Sequence, residues 1–303
     1  MNLSMRKYMK VGIILHMAFD GLISGEGPIL ECLEKIAADE YFEVVEITQI
    51  KDPGVRKAVR EMVETAHMEL IYGGQPRLLT KGLNINDLDE EKRRLAVEEL
   101  KDGIDQAYEL NAVGFSYLAG RYEEETKEES FQALIKSSRE ICEYAKSKGN
   151  MPVTLEVFDY DIDKKSLIGP VHLAKRFAQI MSDEYDNFGL LVDSSHIPML
   201  HESLDENLLP IKDYIKHAHM GNTVIKDPSY PAYGDNHPRF GFPNSENDVE
   251  ELAAYLRMLM KIGYLNDKER RIVSFEVKPF GNEKSEIVIA NAKRTLNLAW
   301  ELV

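Results

Sequence analysis

The chain has 303 residues, 44% of them apolar, enough to bury a large core as either one barrel or two smaller domains. Its 52 acidic against 37 basic residues leave a net charge of -15, which repels phosphate backbones and anionic bilayers and argues against nucleic acid or a membrane as partner. Cys32 and Cys142 each fall inside a helical pattern, so they read as core packing rather than a disulfide and suit a reducing, cytoplasmic setting.

At the start of the chain Arg6, Lys7 and Lys10 precede the apolar run Val11 to Leu15, superficially like a signal peptide. That run meets His16 and ends at Asp20 with no small-residue cleavage site, so it reads as a first strand, Val11–Phe19. Further strands are expected at Phe42–Ile47, Met68–Tyr72, Ala112–Leu118, Pro152–Phe158, Phe188–Asp193, Ile215–Met220 and Ile272–Val277. Helical patterns fall between them, near Pro28–Ala38, Gly54–Ala66, Asp89–Leu110, Glu129–Lys148, Gly169–Met181, Asp205–Asp213 and Asp248–Ile262, and Glu286–Leu302 closes the chain. No stretch approaches the roughly 20 apolar residues of a membrane helix.

Eight short Val/Ile/Leu-rich strands alternating with helices predict a parallel sheet covered on its faces, closed as a single (β/α)8 TIM barrel over residues 1–303. An open dinucleotide-binding sheet would carry a Gly-rich phosphate loop after its first strand, whereas that turn reads Asp20-Gly-Leu-Ile-Ser-Gly-Glu-Gly. The long irregular segment is Gly221 to Asn247, after the seventh strand and therefore on the catalytic face of a barrel. Arg56, Lys57 and Arg60, and likewise Lys92, Arg93 and Arg94, sit on helical patterns among acidic neighbours and read as solvated faces.

In the second half of the chain, four consecutive strands end in residues able to hold a metal. These are Glu156 in T-L-E-V-F-D, Asp193 and His196 in L-L-V-D-S-S-H, His217 and His219 in H-A-H-M-G-N, and Glu276 in S-F-E-V-K-P-F. Neighbouring barrel strands bring such ends to one point, and Glu156 and Glu276 lie among apolar residues where an unpaired carboxylate costs several kcal/mol. Buried ion pairs with Lys216 and Lys278 would be the structural alternative. His217 shares the face of His219 one layer deeper, where a core histidine is the usual outcome. His16 and Glu46 end the first two strands and are candidate substrate contacts, while His237 and Arg239 in the long loop are placed to fold over the site as acid/base and clamp.

This order of Glu, Asp-x-x-His, His and Glu on strands five to eight resembles the xylose isomerase-like TIM barrels, including the sugar-phosphate isomerase/epimerase group and the ketose 3-epimerases. The resemblance implies Glu156, Asp193, His219 and Glu276 as metal ligands and His196 as a substrate-contacting histidine. The loop Tyr233-Gly-Asp-Asn-His-Pro-Arg-Phe-Gly241 departs from the ketose epimerases and is closer to the branch that contains the larger subunit of C-glycoside deglycosidases.

Two Glu, one Asp and one His suit one divalent ion, manganese first, with cobalt, magnesium, iron or zinc as alternatives. Such an ion polarises a sugar carbonyl and stabilises the enediolate formed when Glu156, Glu276, His237 or His196 removes the neighbouring proton. Return of the proton gives an isomerase or epimerase. Expulsion of a leaving group gives a lyase acting on a 3-keto C- or O-glycoside or dehydrating a keto-inositol. The partners expected are a sugar or glycoside and further subunits, either copies of the chain or the small β-sandwich subunit that the deglycosidase branch implies. An endonuclease IV-like nuclease would need a histidine-rich multi-metal site and a basic surface, and a non-catalytic metal-binding protein would leave the acidic cluster unexplained.

Overall fold

A computed structural model describes residues 4–303. Eight strands, β1 (Met9–Ile14), β2 (Val44–Ile47), β3 (Glu69–Gly73), β4 (Gly114–Leu118), β5 (Val153–Glu156), β6 (Phe188–Asp193), β7 (Ile215–Gly221) and β8 (Arg271–Glu276), form a closed barrel in sequence order. Every neighbouring pair is parallel, and β1 closes the ring by pairing with β8 from Met9↔Arg271 to Ile13↔Phe275. Val45, Leu70, Tyr72, Phe115, Leu155, Leu190, Ala218 and Phe275 are buried under the helices, which is why these strands read as nearly continuous apolar runs.

The helices between strands begin where the sequence supplies oxygen for their free N–H groups. Asp52 accepts from Gly54 N and Val55 N before Pro53–Thr65, and Asp89 accepts from Glu91 N and Lys92 N before Glu90–Glu109. Capping boxes pair Ser203 with Glu206 and Asp248 with Glu251. The helix expected at Asp205–Asp213 is instead an α-turn, Leu204–Leu208, followed by a 3-10 segment, Leu209–Tyr214, because Pro210 has no N–H to continue the α ladder.

Two further corrections come from packing. The first strand stops at Ile14, and Leu15–Ala18 forms a helical turn that buries Leu15 and Ala18. Arg93 is not a solvated residue: it is 2% exposed between the Glu90–Glu109 and Lys127–Lys148 helices. There its guanidinium donates to Ser137 Oγ at 2.7 Å and to the carboxylates of Glu90 and Glu140 at 2.8 Å. Both cysteines are buried and free. Among the described residues, no helix is long and apolar enough to cross a membrane.

Candidate active site at the mouth of the barrel

Side chains alternate between the helix layer and the barrel interior along each strand, and the interior positions end in polar groups at the C-terminal rim. The register sets Glu156 beside Leu191, Asp193 beside His219 and Gly221 beside Glu276. One ligand-type atom from each of Glu156, Asp193, His219 and Glu276 lies within 4.8 Å of all the others. His219 Nδ1 is 3.0 Å from Glu276 Oε2, 3.5 Å from Glu156 Oε1 and 3.8 Å from Asp193 Oδ2.

A divalent ion holds opposite ligands about 4–5 Å apart, so the spacing fits one. The orphaned atoms support the same reading: Glu156 Oε1, Asp193 Oδ2 and His219 Nδ1 are buried without a hydrogen-bond partner. Buried polar atoms are rarely left so, and here three converge on one point. Burial alone would lower the basicity of His219, but Glu46, Glu156 and Glu276 outweigh it and hold its pKa well above the usual value, so the field calls for positive charge there.

Each of three of these residues has its other polar atom held from behind. Gln75 Nε2 donates to Glu156 Oε2 at 2.7 Å, and Ser116 Oγ steadies Gln75 Oε1 at 3.1 Å. Ser195 Oγ donates to Asp193 Oδ1 at 2.6 Å. Glu46 takes His217 Nε2 at 2.8 Å and His219 Nε2 at 3.2 Å on its two oxygens. The outer nitrogen of His219 therefore faces a carboxylate, the arrangement that orients a ligating imidazole and raises its basicity. Burial pushes Glu46 up, yet His217 and His219 outweigh it and keep the carboxyl well below its ordinary range.

With this geometry in place, comparison with known proteins is specific about the family. Residues 35–291 match the sequence profile described as xylose isomerase-like TIM barrel. The chain belongs to the xylose isomerase-like TIM barrel family. Among curated proteins, none matches it by sequence. Solved structures similar to this xylose isomerase-like barrel include a D-tagatose 3-epimerase-like protein, 19% identical with a TM-score of 0.72 over 97% of this chain and 99% of that one. The IOLI protein with a bound zinc atom is 17% identical, TM-score 0.74, over 97% and 99% of the two chains. The 3-keto-D-glucoside 4-epimerase from E. coli is 15% identical, TM-score 0.66, over 95% and 99%.

In this family member a cavity of about 210 Å³ opens beside the four residues. Glu156, His219, Glu276, Glu46, His16 and His237 line it, as do Phe158, Lys164, Asp235 and Lys278. His16 reaches it from the Leu15–Ala18 turn rather than from a strand end, and burial drives its pKa down to about 4, leaving a neutral ring. Lys216 lies at the opposite end of the barrel, where its ammonium donates to Asp186 O at 2.6 Å, so the alternative of an ion pair with these carboxylates does not arise for it.

The loop after β7 is fixed by two buried asparagines. Asn222 Nδ2 donates to Arg239 O at 2.8 Å and Asn222 Oδ1 accepts from Asn247 N at 2.7 Å, while Asn247 Nδ2 reaches Gly221 O at 2.9 Å. Gly221 is needed at the turn, since a Cβ there would meet His237 Nδ1 at 2.9 Å and Asp193 Oδ1 at 3.0 Å. His237, in the left-handed region at φ 49°, projects inward with Nε2 2.7 Å from Asp235 Oδ1 and 3.3 Å from Glu276 Oε1. Burial lowers its pKa, but Asp235 and Glu276 outweigh that and raise it to about 9.

Two expected contacts are placed differently. Arg239 is absent from the cavity wall: its Nε pairs with Glu283 at 2.7 Å and its Nη1 donates to Phe240 O and Gly241 O, so it braces the loop instead of clamping a ligand. His196 is 1% exposed and sits behind the wall, its ring tilted against Phe158 with centroids 4.4 Å apart. Its Nδ1 donates to Val157 O at 2.8 Å and its Nε2 to Asp235 Oδ1 at 2.9 Å. Burial opposes its charge, yet Asp235 raises its pKa to about 10, and a ring donating at both nitrogens is the cation.

Asp235, Lys164 and Gln75 were not singled out by the sequence, and Lys278 entered it only as an alternative ion-pair partner for the carboxylates. Asp235 joins His196, His237 and Lys164, the last at 2.7 Å. Lys164 is delivered by the loop after β5, which curls around the buried Asp159 carboxylate as it accepts from the backbone N–H groups of Ile162, Asp163 and Lys164. The sequence carries a signal for Asp235 in its Asp-x-His spacing with His237, and for Gln75 in its place just beyond β3.

Proposed function

We propose that this protein is a divalent-metal-dependent enzyme that removes and returns a proton beside the carbonyl of a sugar or oxidised sugar, in the manner of an isomerase or epimerase. The observation that carries this reading is the convergence of Glu156, Asp193, His219 and Glu276 within 4.8 Å, with buried unpartnered atoms on three of them. The names of the similar structures, all sugar-directed except the IOLI protein, agree with it. These four residues would hold the ion, manganese first by donor type, and when bound it supplies Lewis acidity that polarises a carbonyl and acidifies the adjacent C–H.

The protein's own groups account for the proton. Glu276, 14% exposed in its side chain, borders the cavity, and its Oε1 lies 3.3 Å from His237 Nε2. With its pKa raised to about 9, His237 stands beside Glu276 as a cation that Asp235 compensates at 2.7 Å, able to give a proton toward that carboxylate and not to take one. Glu156, steadied by Gln75, faces the same cavity from β5 and serves as the second proton carrier. Two carboxylates on different strands allow removal on one side of a carbon and return on the other. Elimination from a 3-keto glycoside needs the same first step, and the exposed apolar side chains Ile23 and Leu79 at the cavity give a leaving aglycone a surface to rest on.

The test is proton exchange in D2O. Metal-loaded protein should exchange the C–H next to the carbonyl of a ketose or a 3-keto glycoside, and release of an aglycone would select the elimination branch. Glu276→Gln should lower exchange at least about a hundredfold while the fold is kept. Full activity of that variant, or of protein stripped by a chelator, would overturn the reading.

A further inference from the structure

Beyond Glu276 the chain remains extended: Lys278 bridges to Pro238, and its N–H donates to His237 O at 2.7 Å. Alternation puts Ser274, Glu276 and Lys278 on one side while Phe275 and Val277 are buried on the other, and Lys278 lines the cavity. Two residues of extended chain place its Cα roughly 6.6 Å from that of Glu276, toward the mouth.

The ammonium of Lys278 has no hydrogen-bond or ion-pair partner among the described residues. Lys164, the other cation on the same wall, is fully engaged, at 2.7 Å from Asp235 and 3.1 Å from Asp163. A protein with 52 acidic residues, four of whose carboxylates (Glu46, Glu156, Asp235 and Glu276) line this cavity, has thus kept one ammonium in it that none of them neutralises. The backbone of Lys278 is tied to the loop that presents His237, so the side chain is held over the site and not free to swing with a mobile segment.

We propose that Lys278 binds a carboxylate of the substrate, which makes the substrate class a sugar acid: a keto sugar whose carbonyl lies at the Glu156–Asp193–His219–Glu276 cluster and whose carboxylate lies at the far end of the carbon chain. This rests on the proposed function and deepens it. A six-carbon chain, with five bonds of about 1.5 Å, spans the separation between the two positions. One unpaired ammonium, with no arginine among the described residues of the cavity wall, matches a monoanion, whereas phosphate recognition usually gathers several donors.

Calorimetric binding to the manganese-loaded protein, with D-fructose, D-fructuronate and D-fructose 6-phosphate as matched probes differing at the terminal carbon, tests this. Fructuronate should bind about tenfold or more tighter than fructose, as one charge-assisted hydrogen bond allows. Lys278→Met should bring that ratio close to one and Lys278→Arg should retain most of it, with metal content and melting temperature unchanged in both. Equal binding of fructose and fructuronate, failure of fructuronate to bind, preference for the phosphate, or a carboxylate preference that survives in Lys278→Met would each overturn the proposal. If Lys278→Met does not fold, the wild-type ratio and Lys278→Arg still decide it. Exchange of a C–H proton on neutral ketoses, without any charge preference, would sink the role of Lys278 and leave the proposed reaction standing; carboxylate-selective binding without exchange would do the reverse.

Discussion

Glu46 illustrates how a residue gains its role from its neighbours. In the sequence it is an acid at a strand end; in the barrel it receives His217 on one oxygen and His219 on the other, and so sets the ring that faces the three carboxylates. Glu46→Gln should weaken manganese affinity about 10–100-fold without unfolding the protein, measured by competition with a chromogenic chelator. Unchanged affinity would show that His219 needs no such support. Arg239 is the opposite case, a loop cation that suggests a clamp but braces Glu283 and two carbonyls. Arg239→Ala should lower the melting temperature by about 2 °C and change KM less than twofold. A several-fold rise in KM with an unchanged melting temperature would restore the clamp.

At the scale of elements, strand and helix periodicity locates nearly all of the architecture because an apolar run of period 2 or 3.6 has few ways to be buried. What it misses is short. The turns Gln75–Leu79 and His196–Met199 carry too few residues for a period, and Leu15–Ala18 continues the apolar run of β1 with no break in composition. Arg93 shows a different limit: its charge suits a solvated face, while its long stem fills the space between two helices and its guanidinium meets Ser137 and Glu140 on the second. Arg93→Met, which keeps the stem and removes the fork, should cost about 1–3 kcal/mol in urea unfolding. A change below about 0.5 kcal/mol would mean that the packing of the stem alone joins these helices.

For the whole molecule, the acidic balance makes low pH informative. Arg93 and Lys136 hold Glu90 at about 2, and Arg176 and Gln132 do the same for Glu128, against an ordinary value of 4.5. A carboxyl with a depressed folded pKa contributes stability that is complete above its unfolded value and lost as pH falls through the folded one. The melting temperature should therefore fall between pH 4.5 and 2, and the double variant Glu90→Gln, Glu128→Gln should start lower and fall less steeply. Parallel curves for the two proteins would show that these exposed pairs contribute nothing, as solvent screening permits.

The sequence by itself determines the barrel and the four strand-end residues, because periodicity counts the strands and neighbouring strands bring their ends together wherever a barrel closes. It leaves open how each histidine is partnered and what the loops contribute. Tertiary structure alone sets His217 and His219 on the two oxygens of Glu46 and turns His196 to Asp235, behind the cavity wall. It alone joins Asp235 to Lys164, 71 positions earlier in the chain, and leaves Lys278 in the cavity unpaired among the described residues. The physical reason is that hydrophobic burial is set by local pattern, whereas the partner of a polar atom is whichever group the fold brings within about 3 Å of it.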